Sequence, residues 1–96
     1  MSKLEGLKEI IKQHRQELEQ KYKVKTIAIF GSYARGEETE ESDVDILVEF
    51  EEPVGLLFVD LAEYLESILE VKVDLVPRDA IKPNRWKYVE EDLLYV

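Results

Sequence analysis

Three aspartates and a Gly-Ser pair are the residues of this chain whose types and spacing can do chemistry together. Asp43 and Asp45 stand two apart in a segment, Asp43 to Phe50, that alternates: Val44, Ile46, Val48 and Phe50 face one way, Asp43, Asp45, Leu47 and Glu49 the other. Residues two apart on a strand leave the same face, so both carboxylates project from one side. Asp74 lies in a second alternating segment, Val71 to Val76, and joins them if the two strands are neighbours. Three converging carboxylates repel one another and cost stability unless cations neutralise them. Hard oxygen ligands of this kind suit Mg²⁺ or Mn²⁺, with water and phosphate oxygens completing the shell. Two such ions, about 3.5–4 Å apart, stabilise the attacking and leaving oxygens of an in-line displacement.

Gly31-Ser32 offers a grip for phosphate. Glycine after a strand lets the backbone approach closely, and serine adds a hydroxyl donor. A helix opening at this point would add free amides and the positive end of its dipole. Arg35 can add a charge-assisted contact, and Gly36 lets the loop turn back. Each piece also has an ordinary reading. Asp-x-Asp alone is commonly a solvated strand edge, Gly-Ser an ordinary turn, and Arg35 a surface ion-pair partner for Glu37 or Glu38. The ordered set, with Asp74 following, favours a phosphate site over these readings.

The elements that must position these groups read as follows. Ser2 and Glu5 have the spacing of a capping box, and Leu4, Leu7, Ile11, Leu18 and Tyr22 recur at helical spacing, which predicts one long amphipathic helix. His14 falls near that stripe, where helix-edge packing is expected. Val24 to Phe30 is short and β-branched, hence a buried strand. Acidic Glu37 to Ser42 is a loop. Leu57, Leu61, Leu65 and Ile68 mark a second amphipathic helix between the two aspartate-bearing strands. Pro77 and Pro83 bracket a turn, Asn84 is the expected cap of a last helix around Trp86 to Glu91, and Leu93 to Val96 reads as a terminal strand. Trp86, Tyr88 and Tyr95 are expected to cap the core; exposure would instead mark a partner interface. This order implies a single small α/β (α+β) domain over residues 1–96, a mixed sheet with helices packed on one face.

Bulk properties narrow the function classes. The formal charge is −9, from 13 basic and 22 acidic residues. Such a surface repels phosphate backbones, so direct nucleic-acid binding is not expected, and a basic protein partner is easier to accommodate. No apolar run approaches the roughly 20 residues that span a bilayer. The N-terminus lacks an apolar signal core, and without cysteine there is no disulfide framework or thiolate metal site. A cytoplasmic location without membrane contact is the expectation.

Gly31-Ser32-Tyr33-Ala34-Arg35-Gly36, followed by Ser42-Asp43-Val44-Asp45-Ile46, resembles the signature of the DNA polymerase β-like nucleotidyltransferases, and among them the minimal nucleotidyltransferases. Asp74 matches the family's third carboxylate. The resemblance covers about Ile27 to Val76. It implies that Asp43, Asp45 and Asp74 are catalytic and bind two Mg²⁺ (or Mn²⁺) ions. It also implies that Gly31 and Ser32 hold the β- and γ-phosphates of ATP, with Arg35 and Ser42 beside the nucleotide. Minimal nucleotidyltransferases often serve as antitoxins that adenylylate a tyrosine of a HEPN-type ribonuclease toxin within a hetero-oligomer. The resemblance therefore implies AMP transfer to such a partner. Alternatives are a non-catalytic antitoxin that neutralises by occupancy, and a transferase acting on a small molecule.

Overall fold

The computed structural model describes residues 3–96. Ser2, expected to cap the first helix, lies outside the described residues. The expected long helix is interrupted once, giving α1 (Lys3–Gln13) and α2 (Arg15–Lys21). His14 sits at the break, where its amide is shared between the Ile10 and Ile11 carbonyls at 3.3 and 3.1 Å and its ring Nδ1 donates to the same Ile10 carbonyl at 2.8 Å. The apolar stripe survives: Leu7, Ile11, Leu18 and the following Tyr22 are all buried.

Four strands follow the sequence closely: β1 (Val24–Phe30), β2 (Val44–Phe50), β3 (Val73–Pro77) and β4 (Leu94–Tyr95). The first lies where expected. Asp43 stands just ahead of β2 rather than inside it, and β3 begins two residues later than the alternation at Val71 suggests. Between them come α3 (Ser32–Arg35), α4 (Leu57–Leu69), a 3-10 turn over Arg78–Ala80, and α5 (Pro83–Asp92). Lys82, not Asn84, is the cap of α5; Pro83 takes the first helical position, where a missing N–H costs nothing.

The sheet order is β3-β2-β1-β4, with β2 and β3 parallel and the other pairs antiparallel. Parallel neighbours require a long crossover, and α4 supplies it. Leu61, Leu65 and Leu69 of α4 join the stripe of α1 and α2 against Ile27, Ile29, Ile46 and Val48 on one sheet face. Tyr64 of α4 ties the helices together, donating its hydroxyl to Glu17 at 2.8 Å and packing on Tyr22 at 5.1 Å between ring centroids.

The opposite face carries Ala28 and Leu47, which are nonetheless buried. α5 packs against β1 and runs from the foot of β3 to the head of β4, so it crosses that face. Tyr88 and Tyr95, expected as core caps, are 64% and 55% exposed: Tyr88 lies on the side of α5 opposite the half-buried Trp86, and Tyr95 on the two-residue edge strand β4. Trp86 is half-buried, with the Arg78 guanidinium 3.4 Å above its ring centroid. Among the described residues no helix is long and apolar enough to cross a membrane.

Leu65 is fully buried where α4 meets the sheet. Leu65→Ala is expected to cost about 2–5 kcal/mol through lost transfer energy and the cavity left behind, read as a lower midpoint in urea unfolding.

Candidate active site

The parallel register sets Asp45 directly beside Asp74 and Val44 beside Val73. Since Val44, Ile46, Val73 and Leu75 turn toward the helices, the two aspartates between them must share the other face. Two backbone contacts hold this register at the head of the strands. The Val44 amide donates to the Lys72 carbonyl at 2.9 Å, and the Glu66 carboxylate accepts the Val73 amide at 3.0 Å.

Asp45 is half-buried and its pKa is raised to about 6. Burial is the main cause, followed by the charges of Asp74 and Asp43 and a hydrogen bond with Asp74; Arg35 opposes them weakly. A carboxylate so disfavoured in its charged form is suited to a divalent cation, and the donors are all hard oxygens. Asp43 is exposed and acts on Asp45 through its charge. Among the described residues, no three acidic or histidine side chains converge closely enough to hold a metal ion as they stand. Asp45 and Asp74 form the bracket; Asp43 stands at its rim.

Gly31 closes the site from the other strand. Its backbone has φ 74° and ψ −150°, a region open almost only to glycine. A Cβ there would lie 2.1 Å from the Asp45 Oδ2 oxygen. Backbone and carboxylate are therefore pressed together, and the residue after β1 has to be glycine on two separate grounds. Ser32 opens α3, a single turn that Gly36 ends at φ 72°, with the Glu37 amide donating back to the Ser32 carbonyl at 2.9 Å. Tyr33, 1% exposed, anchors this loop in the core.

Two further sequence candidates are occupied by other contacts. Arg35 Nε donates to Glu37 at 2.6 Å and its Nη1 to Asp92 at 2.6 Å, so its guanidinium braces the loop. The Ser42 hydroxyl accepts the Thr39 amide at 2.9 Å and serves the acidic loop. Asp92 is the site-bordering residue that the sequence did not reveal. It lies 57 residues from Arg35, and no local pattern marks it. A hollow of about 410 Å³, lined by Val48, Phe50, Pro53, Pro77 and Arg78 among others, lies at the far end of β2, away from the carboxylates.

A model of the nucleotidyltransferase domain family matches residues 11–96. This chain belongs to that family. A relative from Methanocaldococcus jannaschii, provisionally assigned as a protein adenylyltransferase, is 52% identical over 98 residues and covers both chains completely. The protein adenylyltransferase MntA of Thermococcus cleftensis is 46% identical over 97 residues, covering 100% of this chain and 98% of its own. A solved structure described as a minimal nucleotidyltransferase superposes with a TM-score of 0.81 at 34% identity, covering 95% of this chain and 93% of the other. An MNT antitoxin solved with the tri-AMPylated HEPN toxin of Shewanella oneidensis matches with a TM-score of 0.65 at 25% identity, covering 98% and 71%. The chain is thus a minimal nucleotidyltransferase in fold and sequence.

Two outcomes follow from the packing of this candidate site. Gly31→Ala is expected to lose about 2–4 kcal/mol of stability from backbone strain and the clash with Asp45, measured by denaturant unfolding. Asp45→Asn in EDTA is expected to do the reverse. Because the folded pKa of about 6 exceeds the ordinary 3.8, the wild-type fold is penalised above pH 6 and unpenalised below the ordinary value. At pH 8 the variant should be more stable by about 1–2 kcal/mol, after discounting for the half-exposed setting. That gain should vanish on titration to about pH 4. A gain that persists unchanged at low pH would show that charge is not its source.

Proposed function

We propose that this nucleotidyltransferase adenylylates a protein: it transfers AMP from ATP to a tyrosine of a HEPN-type ribonuclease partner and so silences it, within a hetero-oligomer in the cytoplasm. The single observation behind this reading is the Asp45–Asp74 pair in parallel register with the Gly31 backbone packed on Asp45. That arrangement brings a carboxylate bracket and the start of the 31–36 loop to one point. The names of the relatives support the choice of AMP and of a protein acceptor.

In this reading the Gly31 backbone and Ser32 hydroxyl orient the β- and γ-phosphates, with Tyr33 keeping the loop fixed to the core. Asp45 and Asp74, with Asp43 at the rim, would hold divalent ions. When bound, these ions supply charge neutralisation at the phosphates and activation of the attacking hydroxyl. The acceptor oxygen forms a bond to the α-phosphorus while the bond to pyrophosphate breaks, and the phenolic proton leaves. Arg35 supports the loop through Glu37 and Asp92, and Ser42 holds the turn ahead of Asp43.

A second reading, neutralisation by occupancy alone, draws on the incomplete convergence of Asp43 with the other two carboxylates. One experiment separates them. With [α-³²P]ATP and Mg²⁺, label is expected on the partner, and Asp43→Asn combined with Asp45→Asn should lower transfer at least about a thousandfold. The double variant should keep its fold, since it removes like charges. Wild-type transfer by that variant would sink the catalytic reading. Partner neutralisation by it without ATP would establish the occupancy reading.

A further inference from the structure

Helix α5 carries its charges against its own dipole. In α1 and α2 an acid occupies the first turn and a lysine the last: Glu5 and Lys12, then Glu17 and Lys21. That is the arrangement a helix dipole favours. In α5 the first turn holds no acid and the last no base. Arg85 and Lys87 lie early, while Glu90, Glu91 and Asp92 close the helix. The reversal works against the stability of the helix, so the helix itself does not explain it. Departures of this kind concentrate where a surface has another task.

The early turns also differ in charge from the rest of the molecule. Between Arg78 and Tyr88 stand four basic residues, Arg78, Lys82, Arg85 and Lys87, and a single acid, Asp79, in a chain of net charge −9. Tyr88 is 64% exposed on the same helix. A shallow hollow of about 770 Å³ runs along it, lined by Pro83, Asn84, Arg85, Lys87, Tyr88 and Val89. An exposed tyrosine beside arginine is the composition of an interface centre. The other end of the helix is fixed to the phosphate loop, where Asp92 binds Arg35. Tyr88 lies four residues before Asp92, about 6 Å along the helix axis, so a body seated here is within reach of the carboxylates.

We propose that the exposed side of α5 centred on Tyr88, with Arg85 flanking it on one side and Lys87 on the other, is the docking surface for the acceptor protein, which meets it with an acidic patch beside an apolar one. This rests on the reading of the site as a protein adenylyltransferase and adds how the acceptor is recognised. The overall acidity of the chain disfavours an extended polyanion such as RNA, whereas a small acidic patch on a protein can meet the basic early turns of α5 and stop short of Glu90 and Glu91.

The test uses the full chain, [α-³²P]ATP with Mg²⁺, and an extract of the native host at limiting acceptor concentration. Arg85→Glu with Lys87→Glu is expected to lower labelling of the acceptor band at least about tenfold, the effect of placing like charges across an interface. Tyr88→Ala should act in the same direction. Binding of a fluorescent ATP analogue should be unchanged, and a circular-dichroism spectrum like that of the wild type should show that the variant keeps its fold. Arg85→Lys with Lys87→Arg should label like the wild type. Undiminished labelling by the Glu variant would overturn the docking surface while leaving the transferase reading intact. Loss of ATP binding in that variant would overturn it as well. Tight, Arg85/Lys87-dependent binding of a fluorescein-labelled oligouridylate would overturn it in favour of RNA. No labelled protein with the wild type would remove the transferase reading, and the acceptor role of α5 with it.

Discussion

Two carboxylates that repel each other are held side by side because hydrophobic burial on the opposite sheet face fixes where they point. Val44, Ile46, Val73 and Leu75 face the helices, and strand geometry leaves Asp45 and Asp74 no other face. Shifting either strand by one residue would place an aspartate in the core and two apolar side chains in water. The core therefore enforces a charge arrangement that the site alone would disperse. The strain is recorded in Asp45, whose pKa is raised to about 6 by burial and by its acidic neighbours. In the proposed function, stability and activity pull in opposite directions at this residue.

Other features serve this pair. The α4 crossover exists because β2 and β3 are parallel, and Glu66 near its end takes the Val73 amide, setting where β3 begins. Gly31 lets the turn after β1 settle onto Asp45 without a Cβ. Tyr33 and Arg35 then fix that turn from two sides, one in the core and one through Asp92. The 31–36 loop is thus tied to the C-terminal helix as well as to the strand before it, so α5 has a covalent and ionic link to the candidate site.

Most of the fold was legible because this chain is locally consistent. Alternation at 43–50 and 71–76, and the leucine spacing at 57–69, each report burial directly, and burial is what the elements are built to achieve. The aspartates were legible for the same reason, since they interrupt apolar alternation on a fixed face. What escaped depends on contacts between distant segments. The interruption of the first helix at His14, where the ring also bonds the Ile10 carbonyl, leaves no mark on the periodicity. Asn84 looked like a cap, but Pro83 at the first helical position moved the boundary back to Lys82. For Arg35 the sequence allows both a phosphate contact and an ion pair, because Asp92 is invisible from its own neighbourhood, and the structure shows the ion pairs. Tyr88 and Tyr95 read as core caps by composition, which does not show that one lies on the side of α5 opposite the half-buried Trp86 and the other on a two-residue edge strand.

The exposure of the site carries the argument one step further. Asp43 and Asp74 are exposed, and only Asp45 is withdrawn from water. Displacement at phosphorus is favoured where water is excluded and charges act through a low dielectric. The described residues build a floor for such a site, from strands and the glycine loop, but only part of its walls. A second body placed over the carboxylates would deepen the low-dielectric setting around them and present its own hydroxyl at the same moment. In a domain this small, acceptor and active-site wall can then be the same molecule. Such an arrangement confines efficient transfer to the acceptor that fits.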